Sequence, residues 1–269
     1  MINIGQYLEK IKIEKPLIHQ ITNFVTANDC ANAVLAMGGV TVMADEPDEV
    51  GEIVRNAKAL ILNMGTLSER KVKAMIIAGR EANRRNIPII LDPVGSGVTS
   101  FRREAVGRLL SQIRVSVIRG NVAEIRYMLS GKYTGKGIDS LCEEDSLRIE
   151  TARELAQKLS CIVAVTGETD IVSDGVKTYG VKNGCLPMGG ITGTGCVCSA
   201  MIGTFCSVVP WNMLEAATCA IAYVGIAGEL SWKKYGSLGM GHFHMGMFDM
   251  YGNISEETYK QEERVYEIF

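Results

Sequence analysis

The sequence has little excess charge of either sign. It contains 28 lysines and arginines against 30 aspartates and glutamates, for a formal net charge of −2. Proteins that bind nucleic acids or anionic membrane surfaces need a strongly basic face, and this balance does not favour one. We therefore expect neither a nucleic-acid nor a membrane partner. The arginine pairs at 84–85 and 102–103 are interpreted as solvated helix ends.

Cysteine motifs that bind zinc are also absent. The eight cysteines are scattered, with no Cys-x-x-Cys motif and no Cys/His zinc spacing, and Cys196 and Cys198 are too close together for an ordinary disulfide. Residues 1–10 contain no basic segment followed by an apolar core, which a secretory leader requires. These absences predict reduced thiols and a cytoplasmic protein.

No uninterrupted apolar run reaches the length of a membrane span. Residues 195–209 and 213–230 are apolar and rich in alanine and glycine, but Pro210 separates them, and Glu215 and Glu229 lie in the second run. A spanning helix needs about 20 consecutive apolar residues. We therefore predict two buried helices of a large core.

A phosphate-binding loop of the Walker type is missing too. Residues 130–136 have the wrong glycine-to-lysine spacing for that motif. A candidate metal pair, His242 and His244, is predicted to lie on one face of a strand. Because no third ligand is suggested nearby, we prefer a sheet-surface position for both side chains.

Short apolar runs alternate with helical patterns over most of the chain. Expected strands cover residues 17–22, 40–43, 59–63, 87–91, 115–118 and 161–165, and expected helices cover residues 3–12, 26–37, 46–57, 68–85, 102–112, 123–129 and 145–159. This pattern predicts an α/β fold whose mostly parallel sheet is covered on both faces. Beyond residue 166 two antiparallel strands are expected, turning at Asp174-Gly175. Residues 131–139 are the candidate long loop, and we predict one domain over residues 1–269.

Polar or glycine residues follow six of the expected strands. In an open parallel sheet, ligands bind beyond the carboxyl ends of the strands, so the pattern predicts one shared cleft. Representative residues at these ends are Asn23, Asp45, Asn63, Asp92, Arg119 and Thr166.

The stretch Gly193-Thr194-Gly195-Cys196 precedes the first long apolar run. Glycine allows a close backbone approach to a ligand, and the start of a helix leaves N–H donors without intrahelical partners. Together they form an anion site, with the Cys196 thiol at its mouth. The sequence therefore predicts phosphoryl transfer at this stretch.

Two carboxylates and two nucleotide-side residues complete the candidate set. Asp92 and Glu124 follow neighbouring strands and are suited to Mg²⁺, although Asp92 also suits an Asx turn and Glu124 a capping box with Asn121. Arg119 offers paired donors to a phosphate, and Thr166 offers a hydroxyl. A surface arginine and a plain turn are the alternatives.

The sequence resembles the hydroxyethylthiazole kinases, which have the ribokinase-like three-layer α/β/α fold. The resemblance covers nearly the whole chain, in the family's order, and Cys196 is its most discriminating residue, since most ribokinase-like enzymes have aspartate there. The segment around His242 and the tail after Asn253 depart from the family pattern. The matching blocks are residues 19–26, 63–67, 91–95, 118–125, 165–175 and 193–196.

The resemblance implies ATP-dependent phosphorylation of 4-methyl-5-(2-hydroxyethyl)thiazole in thiamine salvage, with Mg²⁺. It also implies a homotrimer with active sites at subunit boundaries. The implied roles fall into four groups of residues. The implied thiazole pocket contains Asn23, Met43, Gly65 and Gly193, and the implied ATP contacts are Arg119 and Thr166. Asp92 and Glu124 would lie near the metal. Cys196 would face the substrate hydroxyl, beside Gly193, Thr194 and Gly195.

Two other functions remain open. One is a ribokinase-like enzyme with another substrate, either a kinase for an alcohol such as hydroxymethylpyrimidine or an ATP-dependent dehydratase. The other is a regulator that binds nucleotide without turnover. Cys196 disfavours the first, and the joint presence of Asp92, Glu124, Arg119 and residues 193–196 disfavours the second.

Overall fold

The computed structural model describes residues 4–132 and 145–269. Most of the candidate loop at 131–139 therefore lies outside the described residues. Within them, the strands are β1 Leu17–Ile21, β2 Val40–Val42, β3 Ala59–Asn63, β4 Ile89–Asp92, β5 Val117–Asn121, β6 Ile162–Thr166, β7 Asp170–Ser173, β8 Thr178–Val181 and β9 Val265–Glu267. The helices are α1 Ile4–Glu14, α2 Ala27–Met37, α3 Val50–Val54, α4 Glu69–Arg84, α5 Ser100–Gln112, α6 Val122–Ser130, α7 Asp145–Leu159, α8 Thr194–Val208, α9 Met213–Tyr235, α10 Met240–Asn253 and α11 Glu256–Glu262.

The strands of the described residues form one sheet in the order β2-β1-β3-β4-β5-β6-β7-β8-β9. Strands β1 to β6 pair in parallel, and β7, β8 and β9 add an antiparallel edge. The β7–β8 turn contains Gly175 with φ +90°, a conformation that glycine adopts without strain. The mostly parallel sheet and the antiparallel pair near this turn are confirmed.

Helices cover both faces of the sheet because successive strand side chains point to opposite sides. In β3, Ile61 belongs to the core formed with α1, α2, α8, α9 and α10, whereas Leu60 and Leu62 belong to the core formed with helices α3 to α7. The result is the expected three-layer α/β/α arrangement.

Helix α8 lies directly on the centre of the sheet, and α9 packs beside it. A Cβ at Gly203 of α8 would stand 2.2 Å from Cδ1 of Ile61, so a larger residue there would force the Ile61 side chain to move. Among the described helices, the one that begins at Met213 is long and apolar enough to cross a membrane, but 78% of its apolar window is buried inside the protein. Both apolar runs are thus core helices, as predicted.

The strand predicted at His242 and His244 is wrong, because these residues belong to α10. Phe243, Met247 and Tyr251 are buried at intervals of four residues, which is the helical period. The two histidines therefore do not share one face of a strand. A second difference is β9, where a short and largely polar tail pairs with the exposed edge of β8.

Candidate functional site

The carboxyl ends of the parallel strands and the first turn of α8 meet at one edge of the sheet. Parallel pairing sets Asn63 of β3 directly beside Asp92 of β4, and Asn121 of β5 beside Thr166 of β6. Cys196 reaches the same edge from α8, within hydrogen-bond distance of Asn63. The sheet register thus brings together residues far apart in the sequence.

The Cys196 sulfur accepts two amide hydrogen bonds. Nδ2 of Asn23 and Nδ2 of Asn63 each lie 3.3 Å from Sγ. Burial, followed by the nearby Asp92 carboxylate, raises the pKa of the Cys196 thiol, and hydrogen bonds from Thr26 and Asn23 act in the opposite direction. The thiol therefore predominates at neutral pH, while the two amides orient its sulfur lone pairs.

Asn63 is a central residue of the site, which the sequence places at the shared cleft but without a specific role. Its Oδ1 accepts from the Gly65 N–H at 2.9 Å and from Asn23 Nδ2 at 3.0 Å, and its Nδ2 also donates to Asp92 Oδ2 at 2.8 Å. The side chain is buried, so its groups depend on these partners. Its place at a strand end beside Asp92 was the signal that could have identified it.

Asp92 is a buried carboxylate with one oxygen paired and one unpaired. Oδ2 accepts from Asn63 and from the Ser199 hydroxyl, at 2.8 Å each, whereas Oδ1 has no hydrogen-bond partner among the described residues. Burial, opposed by Arg119 and assisted by Glu124, raises the pKa of Asp92 to about 6. The side chain does not form the Asx turn that was the alternative, because both of its bonds are to other strands and helices.

Glu124 does form the alternative structure, a capping box at the start of α6. Its Oε2 accepts from the Asn121 N–H at 2.9 Å, and Oε1 accepts from the Gly95 N–H at 2.8 Å. The carboxylate therefore joins the loop after β4 to the loop after β5. It keeps further lone pairs for a cation because each oxygen accepts only one of these bonds.

The donor set fits a magnesium ion that shares its ligands with a substrate. Asp92 Oδ1 is a buried oxygen without a partner, and Glu124 adds a second carboxylate nearby. Over residues 4–132 and 145–269, no three His, Cys, Asp or Glu side chains form a complete metal site. Mg²⁺ commonly binds with one or two carboxylates, water and phosphate oxygens, which suits this arrangement.

Arg119 is buried in the site and is not a surface arginine. Its Nη2 donates to Thr166 Oγ1 at 2.9 Å, its Nη1 lies 3.8 Å from Asp92 Oδ2, and its side chain is 15% exposed. A Cβ at Gly195 would stand 2.5 Å from Nη1 of Arg119. The guanidinium therefore lies directly against the first turn of α8, and Thr166 holds it rather than forming a plain turn.

The loop before α8 requires glycine at Gly193 for two reasons. Its φ of +91° is left-handed, and a Cβ there would stand 2.6 Å from Cγ2 of Thr26. The next hydroxyl, that of Thr194, lies 3.5 Å from the carbonyls of Met188 and Ile191. The backbone N–H groups of the first helical turn are left for a ligand.

The remaining candidates lie on the β1–β2 side of the edge. Gly65 packs against Asn23, since a Cβ on it would stand 2.8 Å from Cβ of Asn23. Met43 follows β2, one strand farther out, and is 36% exposed. Phe24 and Val25, beside Asn23, are also largely exposed.

Comparison with known proteins gives one consistent family. The model of the "Hydroxyethylthiazole kinase family" matches residues 8–257. A hydroxyethylthiazole kinase of Clostridium botulinum (strain Alaska E43 / Type E3) is 41% identical over 266 residues, covering 97% of this chain and 95% of that protein. The solved structure of a hydroxyethylthiazole kinase from Pyrococcus horikoshii OT3 has a TM-score of 0.91 and 35% identity, with 100% of both chains covered.

A more distant structure bears on the fold alone. A ribokinase-like superfamily protein from Enterococcus faecalis V583 has a TM-score of 0.60 at 12% identity, covering 88% of each chain. The fold of this chain is ribokinase-like.

Proposed function

The chain belongs to the hydroxyethylthiazole kinase family, and we propose that it transfers the γ-phosphoryl group of ATP to the primary hydroxyl of 4-methyl-5-(2-hydroxyethyl)thiazole, a step of thiamine salvage. The observation that carries the proposal is the arrangement of Cys196 between two amides, at the start of a helix and beside Arg119 and Asp92.

Binding of the two substrates divides along the sheet edge. Asn23, Met43, Gly65 and Gly193 bind the thiazole alcohol on the β1–β2 side, where exposed apolar side chains suit a small and nearly neutral ring. Arg119 and Thr166 bind ATP on the β5–β6 side, because a buried guanidinium can pair with phosphate oxygens. The acceptor hydroxyl and the γ-phosphate then meet at residues 193–196.

In the reaction, the hydroxyl oxygen attacks the γ-phosphorus in line, and the bond from phosphorus to the departing ADP oxygen breaks. The free N–H groups of Thr194, Gly195 and Cys196 and the Arg119 guanidinium stabilise the charge on the transferring group. Positioning and electrostatics supply most of such a rate enhancement, so a strong base is not needed.

Cys196 has a modest role in this scheme. Its raised pKa keeps most of the thiol protonated, and in that form the sulfur only holds the acceptor hydroxyl. The minor thiolate form accepts the hydroxyl proton late in the transfer and becomes the thiol. The N–H groups of Asn23 and Asn63 favour the presence of this acceptor, because hydrogen bonds to sulfur stabilise the thiolate form.

Asp92 and Glu124 would hold Mg²⁺ together with phosphate oxygens and water. When bound, the ion supplies charge neutralisation and orientation of the phosphates. The unpartnered Oδ1 of Asp92 supports this assignment.

Residues 1–269 form a single domain in this proposal, supported by a sheet that runs continuously from β1 to β9 over the described residues. The protein is a cytoplasmic homotrimer whose active sites lie at subunit boundaries. Phe24 and Val25 support the boundary position, since both are exposed apolar residues directly beside Asn23.

The test is product formation from ATP and the thiazole alcohol, followed by mass spectrometry, with Mg²⁺ omitted in a control. Thiazole phosphate and ADP in equal amounts are expected, only with the metal. Phosphorylation of hydroxymethylpyrimidine in preference to the thiazole would favour the other kinase, and nucleotide binding without turnover of either alcohol would favour a regulator. Light scattering at micromolar concentration tests the trimer.

A further inference from the structure

Behind the loop at residues 193–196, a polar contact joins α10 to α2. Nε2 of His244 lies 3.0 Å from Oδ2 of Asp29, and the two side chains are 34% and 22% exposed. An ionised carboxylate only accepts hydrogen bonds, so Nε2 carries the proton and donates it. The His244 ring also packs beside Phe248, with ring centroids 5.4 Å apart.

The same segment of α2 touches the loop directly. A Cβ at Gly193 would stand 2.6 Å from the Thr26 methyl carbon and 4.0 Å from Oδ2 of Asp29. The Thr26 N–H also donates to Asn23 Oδ1 at 3.1 Å, and Asn23 donates to the Cys196 sulfur. One chain of contacts therefore leads from His244 through the start of α2 to the reacting loop.

The space beneath this pair is too small for a ligand. The pocket bounded by Asp29, Gly193, His244 and Phe248 has a volume of ≈ 10 Å³. One water needs roughly 10–15 Å³ by this measure, so neither a metal with its shell nor an organic ligand fits. The contact between His244 and Asp29 must be explained as a link between two helices.

We propose that His244 is a positioning residue, which through Asp29 fixes the start of α2 against Gly193 and so sets the distance between Asn23, Cys196 and the acceptor hydroxyl. The effect on turnover rests on the proposed kinase function. The effect on the geometry of the loop at residues 193–196 is independent of that function.

The test compares substitutions at His244 in the full-length protein. His244→Ala removes the donor, His244→Asn has too short a side chain to reach, and His244→Gln carries an N–H at a similar distance from the backbone. His242→Ala is the matched control, since it removes an exposed histidine two residues away on the same helix.

We expect His244→Ala and His244→Asn to lower kcat about tenfold, with KM for ATP changed less than twofold. The substitutions displace the loop at residues 193–196 and leave the ATP-binding side of the site in place. His244→Gln and His242→Ala should stay within about twofold of the parent, since both leave the link to Asp29 intact. Asp29→Ala should cost as much as His244→Ala, and the double variant should cost no more than either, because the residues act as one unit.

A second measurement does not depend on catalysis. The rate of Cys196 alkylation by iodoacetamide, located by peptide mass spectrometry, should rise about fivefold in His244→Ala, because a looser loop exposes the thiol. If the parent makes no thiazole phosphate but alkylation still rises, the function is wrong and the positioning role stands. If the parent is active and His244→Ala changes neither kcat nor alkylation at an unchanged Tm, the positioning role is refuted.

Discussion

Gly195→Ala adds one methyl group at the point where α8 meets Arg119. The new Cβ would lie 2.5 Å from Nη1, whereas ordinary contact begins near 3.4 Å. The guanidinium must therefore retreat from α8 by about 1 Å, and a displacement of this size can reduce catalysis about 100-fold. We expect that loss in kcat/KM for ATP, with KM for the thiazole alcohol nearly unchanged.

The prediction separates a local effect from unfolding. Alanine is preferred to glycine inside a helix by about 0.5–1 kcal/mol, so Tm should not fall. Gly189→Ala is the matched control, because no atom lies within 4 Å of its added Cβ. Steady-state kinetics with ATP varied at saturating thiazole alcohol make the comparison. A Gly195→Ala enzyme with kcat/KM for ATP within twofold of the parent would refute the placement of Arg119.

Three further substitutions test other contacts. Cys196→Ala should lower kcat by about 10²-fold, the usual range for loss of a proton acceptor, while Cys196→Asp keeps or gains activity; a folded but dead Asp variant contradicts the acceptor role. Asn63→Ala removes one hydrogen-bond partner from the Asn23 amide and one from Asp92 Oδ2. The free energy of unfolding, measured with urea, should fall by about 2–4 kcal/mol. The pKa of Asp92 is raised from 3.8 to about 6, so its stability contribution falls as pH rises through this window. Asp92→Asn lacks this titration, and in EDTA its unfolding free energy relative to the parent should increase by about 2 kcal/mol between pH 4 and pH 7; a difference independent of pH contradicts the raised pKa.

The sequence predicted the architecture well because its signals are local. Apolar runs and helical periods placed the parallel strands, and Asp174-Gly175 marked the antiparallel turn. Residues 242–244 failed because a polar-apolar-polar triplet fits both a strand and a helix. Only the longer spacing of Phe243, Met247 and Tyr251 distinguishes the two.

The site was predictable in its residue types but not in its contacts. Asp92 and Arg119 stand out as charges at the ends of apolar strands, and residues 193–196 as a glycine loop. The roles of Asn63 and Ser199 depend on strand register and on the rotation of α8 over the sheet. These are long-range packing outcomes that no local pattern specifies.

The close packing of α8 on the sheet also has a practical consequence for redesign. Because Gly203 packs closely on Ile61, moving α8 to enlarge the acceptor pocket would disturb a well-packed contact with the sheet. If the proposed thiazole pocket is correct, bulkier alcohols are better accommodated by trimming Val25 and Met43, whose side chains are exposed. The phosphoryl-transfer end would then stay constant while the alcohol end varies.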